Sequence, residues 1–172
     1  MKKLTMIGVA AIFALGLAAA AMAGGGYGDG STSTTTTAAA STSTTTKKVE
    51  TYSFKAKLTA AQEVPKPKAP TSAGGSFTAR TVEAKTKTFT WKLSFHGLTG
   101  AAVAAHVHFG KKGVAGGVAI ALCGPCKNGQ TGKLTISGKA ESAMEKGGAY
   151  VNVHTAKNAG GEIRGQVGLT GK

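Results

Sequence analysis

Acidic residues are scarce. The 172-residue chain has 7 Asp and Glu against 21 Lys and Arg, a net charge of +14, and Asp29 is its single aspartate. Aromatic residues make up only 6% of it. No nucleic-acid recognition motif accompanies the positive charge, and the lysines are spread along the sequence instead of gathered in a run, which argues against nucleic acid as a partner. Two readings of the charge remain: attraction to anionic envelope polymers, membrane surfaces or partner proteins, or a basic surface that only keeps the protein soluble.

Long apolar runs are missing beyond the first two dozen residues. Lys2 and Lys3 precede an apolar stretch from Met6 to about Ala20, and Ala21-Met22-Ala23 has the small-x-small form at which secretory leaders are cut. Residues 1–23 are therefore expected to be a signal peptide cleaved near Ala23. No cysteine follows the cut to carry a lipid, and no later run is long enough for a transmembrane helix. The expectation is a secreted or periplasmic protein. Residues 24–46 are almost entirely Gly, Ser, Thr and Ala with almost no large apolar side chain, so they cannot bury enough surface to offset their ordering entropy, and residues 24–48 read as a disordered tether. Glycosylation of its hydroxyls is left open.

Cysteine is limited to two residues, Cys123 and Cys126, in the stretch Cys-Gly-Pro-Cys. Thioredoxin-type exchange needs the first cysteine at a helix N-terminus. Here Lys127-Asn128-Gly129-Gln130-Thr131-Gly132 follows and leads into an alternating segment. A zinc knuckle needs a second ligand pair nearby, which is missing. In an exported chain the pair reads as a local disulfide, Cys123–Cys126, whose short ring adds about 2 kcal/mol on a chain-entropy basis.

What is present from residue 49 onward is alternation. TYSFKAKLTA sets Tyr52, Phe54, Ala56 and Leu58 against Ser53, Lys55 and Lys57, and KTFTWKLSF does the same with Phe89, Trp91, Leu93 and Phe95. GSFTARTVEA, KLTISGKA, AYVNVHT and GEIRGQVGL continue the period of two, separated by Gly- and Pro-rich segments. Only ESAMEKG suits a short helical turn. Residues 49–172 thus read as one all-β domain, a sandwich or barrel.

Three of the four histidines lie in two such strands. In AAHVHFG, Val103, Ala105, Val107 and Phe109 share one face and His106 and His108 the other; in YVNVHT, Tyr150, Asn152 and His154 lie opposite Val151 and Val153. In the last strand Ile163 and Val167 oppose Glu162, Arg164 and Gln166. If the last two strands pair as a hairpin with apolar sides matched, one register sets His154 opposite Glu162 and Asn152 opposite Arg164. Glu162 then either orients the imidazole or pairs with Arg164. Two imidazoles one residue apart on a strand lie about 7 Å apart at their Cα atoms. A third from a neighbouring strand completes a candidate site for copper, zinc or iron through His106, His108 and His154, with Asn152, Glu162 and Arg164 around it. The alternative is a solvated polar face. His96, where a strand meets a turn, reads as structural or exposed.

FKAKLTAAQEVPKP, SAGGSFTA, AAHVHFG and GAYVNVHTAKNAGGEIRGQV together resemble the CHRD domain, named for chordin, from about Tyr52 to Val167. The resemblance is to bacterial exported forms. It implies an immunoglobulin-like or superoxide-dismutase-like Greek-key β-sandwich or barrel, and no settled biochemical function. HVHFG is similar to the dismutase strand with two copper-binding histidines, and VNVHT to the strand supplying another, which carries ligand roles onto His106, His108 and His154. The histidine-rich zinc loop, its aspartate and the bridging histidine have no counterparts. Metal binding, storage or delivery is therefore favoured over catalysis. The other readings are an adhesion or matrix module binding anionic polymers or proteins, and a weak dismutase.

Overall fold

The computed structural model describes residues 48–172 apart from positions 69, 71 and 84–86. The expected leader, 1–23, and all of the expected tether, 24–48, except Lys48 lie outside the described residues. Among the described residues no helix is long and apolar enough to cross a membrane.

Alternation becomes strand wherever the sequence carries it with β-branched or aromatic residues. The described strands are β1 (Glu50–Thr59), β2 (Gly74–Glu83), β3 (Lys87–His96), β4 (Ala102–Phe109), β5 (Val118–Cys123), β6 (Gln130–Thr135), β7 (Ala149–Thr155), β8 (Ile163–Gln166) and β9 (Gly168–Gly171). One helix, α1 (Gly138–Glu145), joins β6 to β7. The strands form a single sheet in the order β5-β4-β7-β8-β1-β2-β3-β6, with β9 also on β1. The sheet curls into a nearly closed barrel, so the barrel is the correct member of the expected pair.

Its interior takes one side of every strand. Phe54, Phe77, Phe89 and Leu93 meet Val107, Val151, Val153 and Ile163, all at most 1% exposed. Each such side chain contributes about 1.5–3 kcal/mol of transfer free energy. The opposite side of β4, β7 and β8 faces out of the barrel and carries the histidines.

Three local expectations need correction. Val103 does not share the inner face of Val107: β4 carries an extra residue against β7 between Ala102 and Ala104, so Ala102 turns inward and Val103 is exposed. KLTISGKA is not one strand. It stops at Thr135, because the Ser137 side chain accepts from the Ala140 N–H at 3.2 Å and caps α1, which starts before ESAMEKG. GEIRGQVGL is two strands, because β8 pairs with β7 while β9 pairs with β1, with buried Val167 between them. Cys123, which ends β5, and Cys126, in the turn that follows, stand at bonding distance, S–S 2.09 Å.

Gly165 lets β8 approach β1. A Cβ there would lie 2.5 Å from the Lys57 carbonyl oxygen, and backbone cannot step aside cheaply. Gly165→Ala is therefore expected to lower stability by about 1–3 kcal/mol, read as a lower urea midpoint.

Candidate metal centre

Register brings the polar residues into rows. His108 pairs with Tyr150, which pairs with Gln166; His106 pairs with Asn152, which pairs with Arg164. His154 is two residues beyond Asn152 and opposite Ala104, one diagonal step from His106. The ring centroids are 5.0 Å apart for His106 and His154, 5.5 Å for His106 and His108, and 6.0 Å for His108 and His154. One ring nitrogen from each lies within 4.8 Å of the other two.

The face is outward but not open to solvent. His108 and His154 are buried and His106 is half-buried, because the β4–β5 and β7–β8 loops fold over them. Those loops also set the tautomers. His108 Nδ1 is 2.9 Å from the Gly116 carbonyl oxygen, and His154 Nδ1 is 2.9 Å from that of Ala159. A carbonyl only accepts, so both Nδ1 atoms carry the proton and both Nε2 atoms present a lone pair. His106 Nδ1 lies 3.1 Å from His154 Nε2 and donates to it. His108 Nε2 is buried without a hydrogen-bond partner.

Residues around the triad hold the loops. Arg164, fully buried, donates through Nη2 to the carbonyls of Lys111 (3.0 Å) and Val114 (2.8 Å), and its guanidinium lies 3.4 Å from the centroid of the Tyr150 ring. Tyr150 stacks on His108 with the rings 9° from parallel, and its hydroxyl accepts from the Gly116 N–H. Gln166 Nε2 donates to the carbonyls of Gly110 and Ala149. Arg164 thus reaches His108 through a loop and a tyrosine, not by direct contact.

Glu162 neither orients His154 nor pairs with Arg164. Its carboxylate accepts from the Thr99 N–H and hydroxyl (both 2.6 Å), the Thr155 hydroxyl (2.5 Å) and the Asn158 amide (3.0 Å). Burial alone raises its pKa, but these hydrogen bonds outweigh burial and hold it below the usual carboxylate value. Its work is to tie the β7–β8 turn to the loop before β4. Asn152 donates weakly to the Gly160 carbonyl at 3.4 Å. It also stabilises the ionised form of Glu63, a buried carboxyl whose pKa burial nonetheless raises. His96 is exposed.

Sequence reasoning passed over Tyr150, Gln166, Glu63 and the Gly116 and Ala159 carbonyls. Tyr150 and Gln166 carry a legible signal, since each lies on the polar side of its strand. Glu63 sits in irregular chain after a 3-10 turn at Ala60–Gln62, where no periodicity applies.

Three neutral imidazoles form a donor set suited to zinc, copper or iron. At bonds of about 2.1 Å, two ligand atoms on one ion are at most about 4.2 Å apart. A spread of up to 4.8 Å therefore closes with small ring rotations. Burial, followed by the neighbouring His154 and His108, pushes the His106 pKa down. For His108 burial again leads; the Gly116 hydrogen bond and, more weakly, the Asn152 side chain oppose it, and His154 and Arg164 add to it.

Depressed histidine values mean the unfolded chain binds more protons, so the stabilisation is complete above the ordinary value of 6.5 and fades as pH falls through the folded values. In metal-free protein, imidazole NMR should show His106 and His108 titrating below 6.5. Glu162→Gln should cost roughly 2–3 kcal/mol in urea unfolding, because an amide donor then faces donors where the carboxylate accepted from them.

The model of one family, the CHRD domain, matches residues 54–167. No curated protein and no solved structure matches the chain. The match runs from within β1 to the break after β8, taking in both histidine strands and well over half of the sequence, and on that span the chain belongs to the CHRD-domain family.

Proposed function

We propose that this CHRD-domain protein binds a transition-metal ion through His106, His108 and His154, and that it holds or delivers the ion without catalysing a reaction. The observation that carries this reading is the His108 Nε2 atom, buried without a partner while Nδ1 is committed to a loop carbonyl. A buried lone pair costs stability unless something satisfies it. His154 Nε2 faces the same space with the same tautomer, and an ion taking the place of the His106 proton needs only that the proton move from Nδ1 to Nε2 of the same ring, which leaves all three imidazoles neutral. Asn152 and Arg164 act from outside the ligand set, the latter by fixing the loop that orients His108. Half-buried His106 leaves the site reachable from solvent. A weak dismutase needs the same bound ion and, in addition, activity above that of the free metal.

We place the protein outside the cytoplasm, secreted or periplasmic, on the leader-like residues 1–23 and the Cys123–Cys126 pair. The domain then spans 49–172 behind a tether. A second reading, a module that contacts anionic polymers, is favoured by where the fold gathers the lysines.

Titration of the mature protein with copper, zinc and ferrous iron should show one site per chain. Each of His106→Ala, His108→Ala and His154→Ala should weaken binding by roughly tenfold or more, whereas His96→Ala leaves it unchanged. A triple-alanine variant with unaltered affinity ends the reading. Elemental analysis of protein purified from its native compartment, set against that variant, identifies the metal.

A further inference from the structure

Lysines that look scattered along the sequence converge on one face of the barrel. Lys55 of β1, Arg80 of β2, Lys92 of β3 and Lys133 of β6 all point outward and are exposed. The register orders them. Lys55 pairs with Thr78, Thr78 with Lys92, and Lys92 with Thr131. In the adjacent row Ser53 pairs with Arg80, Arg80 with Thr90, and Thr90 with Lys133. The two rows alternate cation and hydroxyl out of step, so the four cations zigzag across four strands, each about 7–8 Å from the next at the Cα atoms.

These side chains line a depression of about 700 Å³ with no acidic residue in its wall. Among the described residues, the ion pairs are those of Lys87 with Glu83 and Glu141, and none involves the four cations. Neighbouring like charges on a sheet repel and cost stability. The same arrangement becomes favourable when a chain of negative charges lies across it.

The intervening groups narrow the class of that chain. Ser and Thr hydroxyls both donate and accept, which suits a hydroxyl-rich partner better than a phosphate chain, whose oxygens only accept. Phe54 and Trp91, the aromatic residues bordering the depression, are buried, so no ring is available to stack on a base. No exposed apolar side chain lines it to enter a bilayer. We propose that this face binds a linear acidic polysaccharide, with carboxylates on Lys55, Arg80, Lys92 and Lys133 and sugar hydroxyls on the Ser and Thr between them. It gives the second reading above a specific surface and a partner class. None of its residues belongs to the histidine site, so the two stand or fall separately.

Polygalacturonate is a suitable probe with the mature chain. Binding should weaken steeply as salt rises. Joint replacement of Lys55, Arg80, Lys92 and Lys133 by Gln should weaken it roughly tenfold or more. The same charge removed at exposed Lys66, Lys112, Lys146 and Lys157 should change it by less than about threefold. Arg80→Gln and Lys92→Gln alone should each weaken it measurably, which keeps the test valid if the fourfold variant folds poorly. The triple histidine variant should bind polygalacturonate as before. Equal loss from both charge sets overturns the proposal, as does polyphosphate, an oligonucleotide or an anionic phospholipid vesicle binding as tightly as the polyuronate.

Discussion

The pairing of β4 with β7 is the constraint on which the rest of the site depends. With His106 opposite Asn152 and His108 opposite Tyr150, Val107, Val151 and Val153 enter the barrel and all three imidazoles fall on the outside. A slip of one residue would reverse every side chain of one strand. Buried Val107, Val151 and Val153 oppose that slip, since each would move from the core into a polar setting. The hydrophobic interior therefore positions the histidines without touching them. The extra residue at Val103 lies at the end of the ladder, so it adjusts the strand's start without disturbing the register at His106.

Once the face is set, the covering loops turn it from a solvated surface into a buried polar cluster. Arg164 and Gln166 work from β8 by donating to loop carbonyls, and Glu162 anchors the opposite turn through four hydrogen bonds. Each loop returns one carbonyl to one imidazole. The two tautomers are thereby chosen by backbone groups, not by a carboxylate. That choice leaves the triad without negative charge, so a cation bound there is held by neutral donors alone.

The barrel also separates two chemistries. β4, β7 and β8 carry the histidines, Tyr150 and Arg164, while β1, β2, β3 and β6 present lysine, arginine and hydroxyls outward. Both faces obey the same two-residue alternation. One is covered by long loops and the other is not, which is why the first is a candidate for a small ion and the second for an extended chain.

Strand existence, the core residues and the common face of His106, His108 and His154 are legible in the sequence, because alternation is a local property that a single strand displays by itself. The Cys123–Cys126 pairing is legible for a similar reason: nothing else is near in the chain. Loop closure, the partner of Glu162 and the gathering of Lys55, Arg80, Lys92 and Lys133 are not. Each depends on which strands become neighbours, and that is decided by how all the apolar faces close around one interior. In linear order Glu162 is nearest the Arg164 guanidinium and further from His154 and Thr155; the folded loops nonetheless select the threonines.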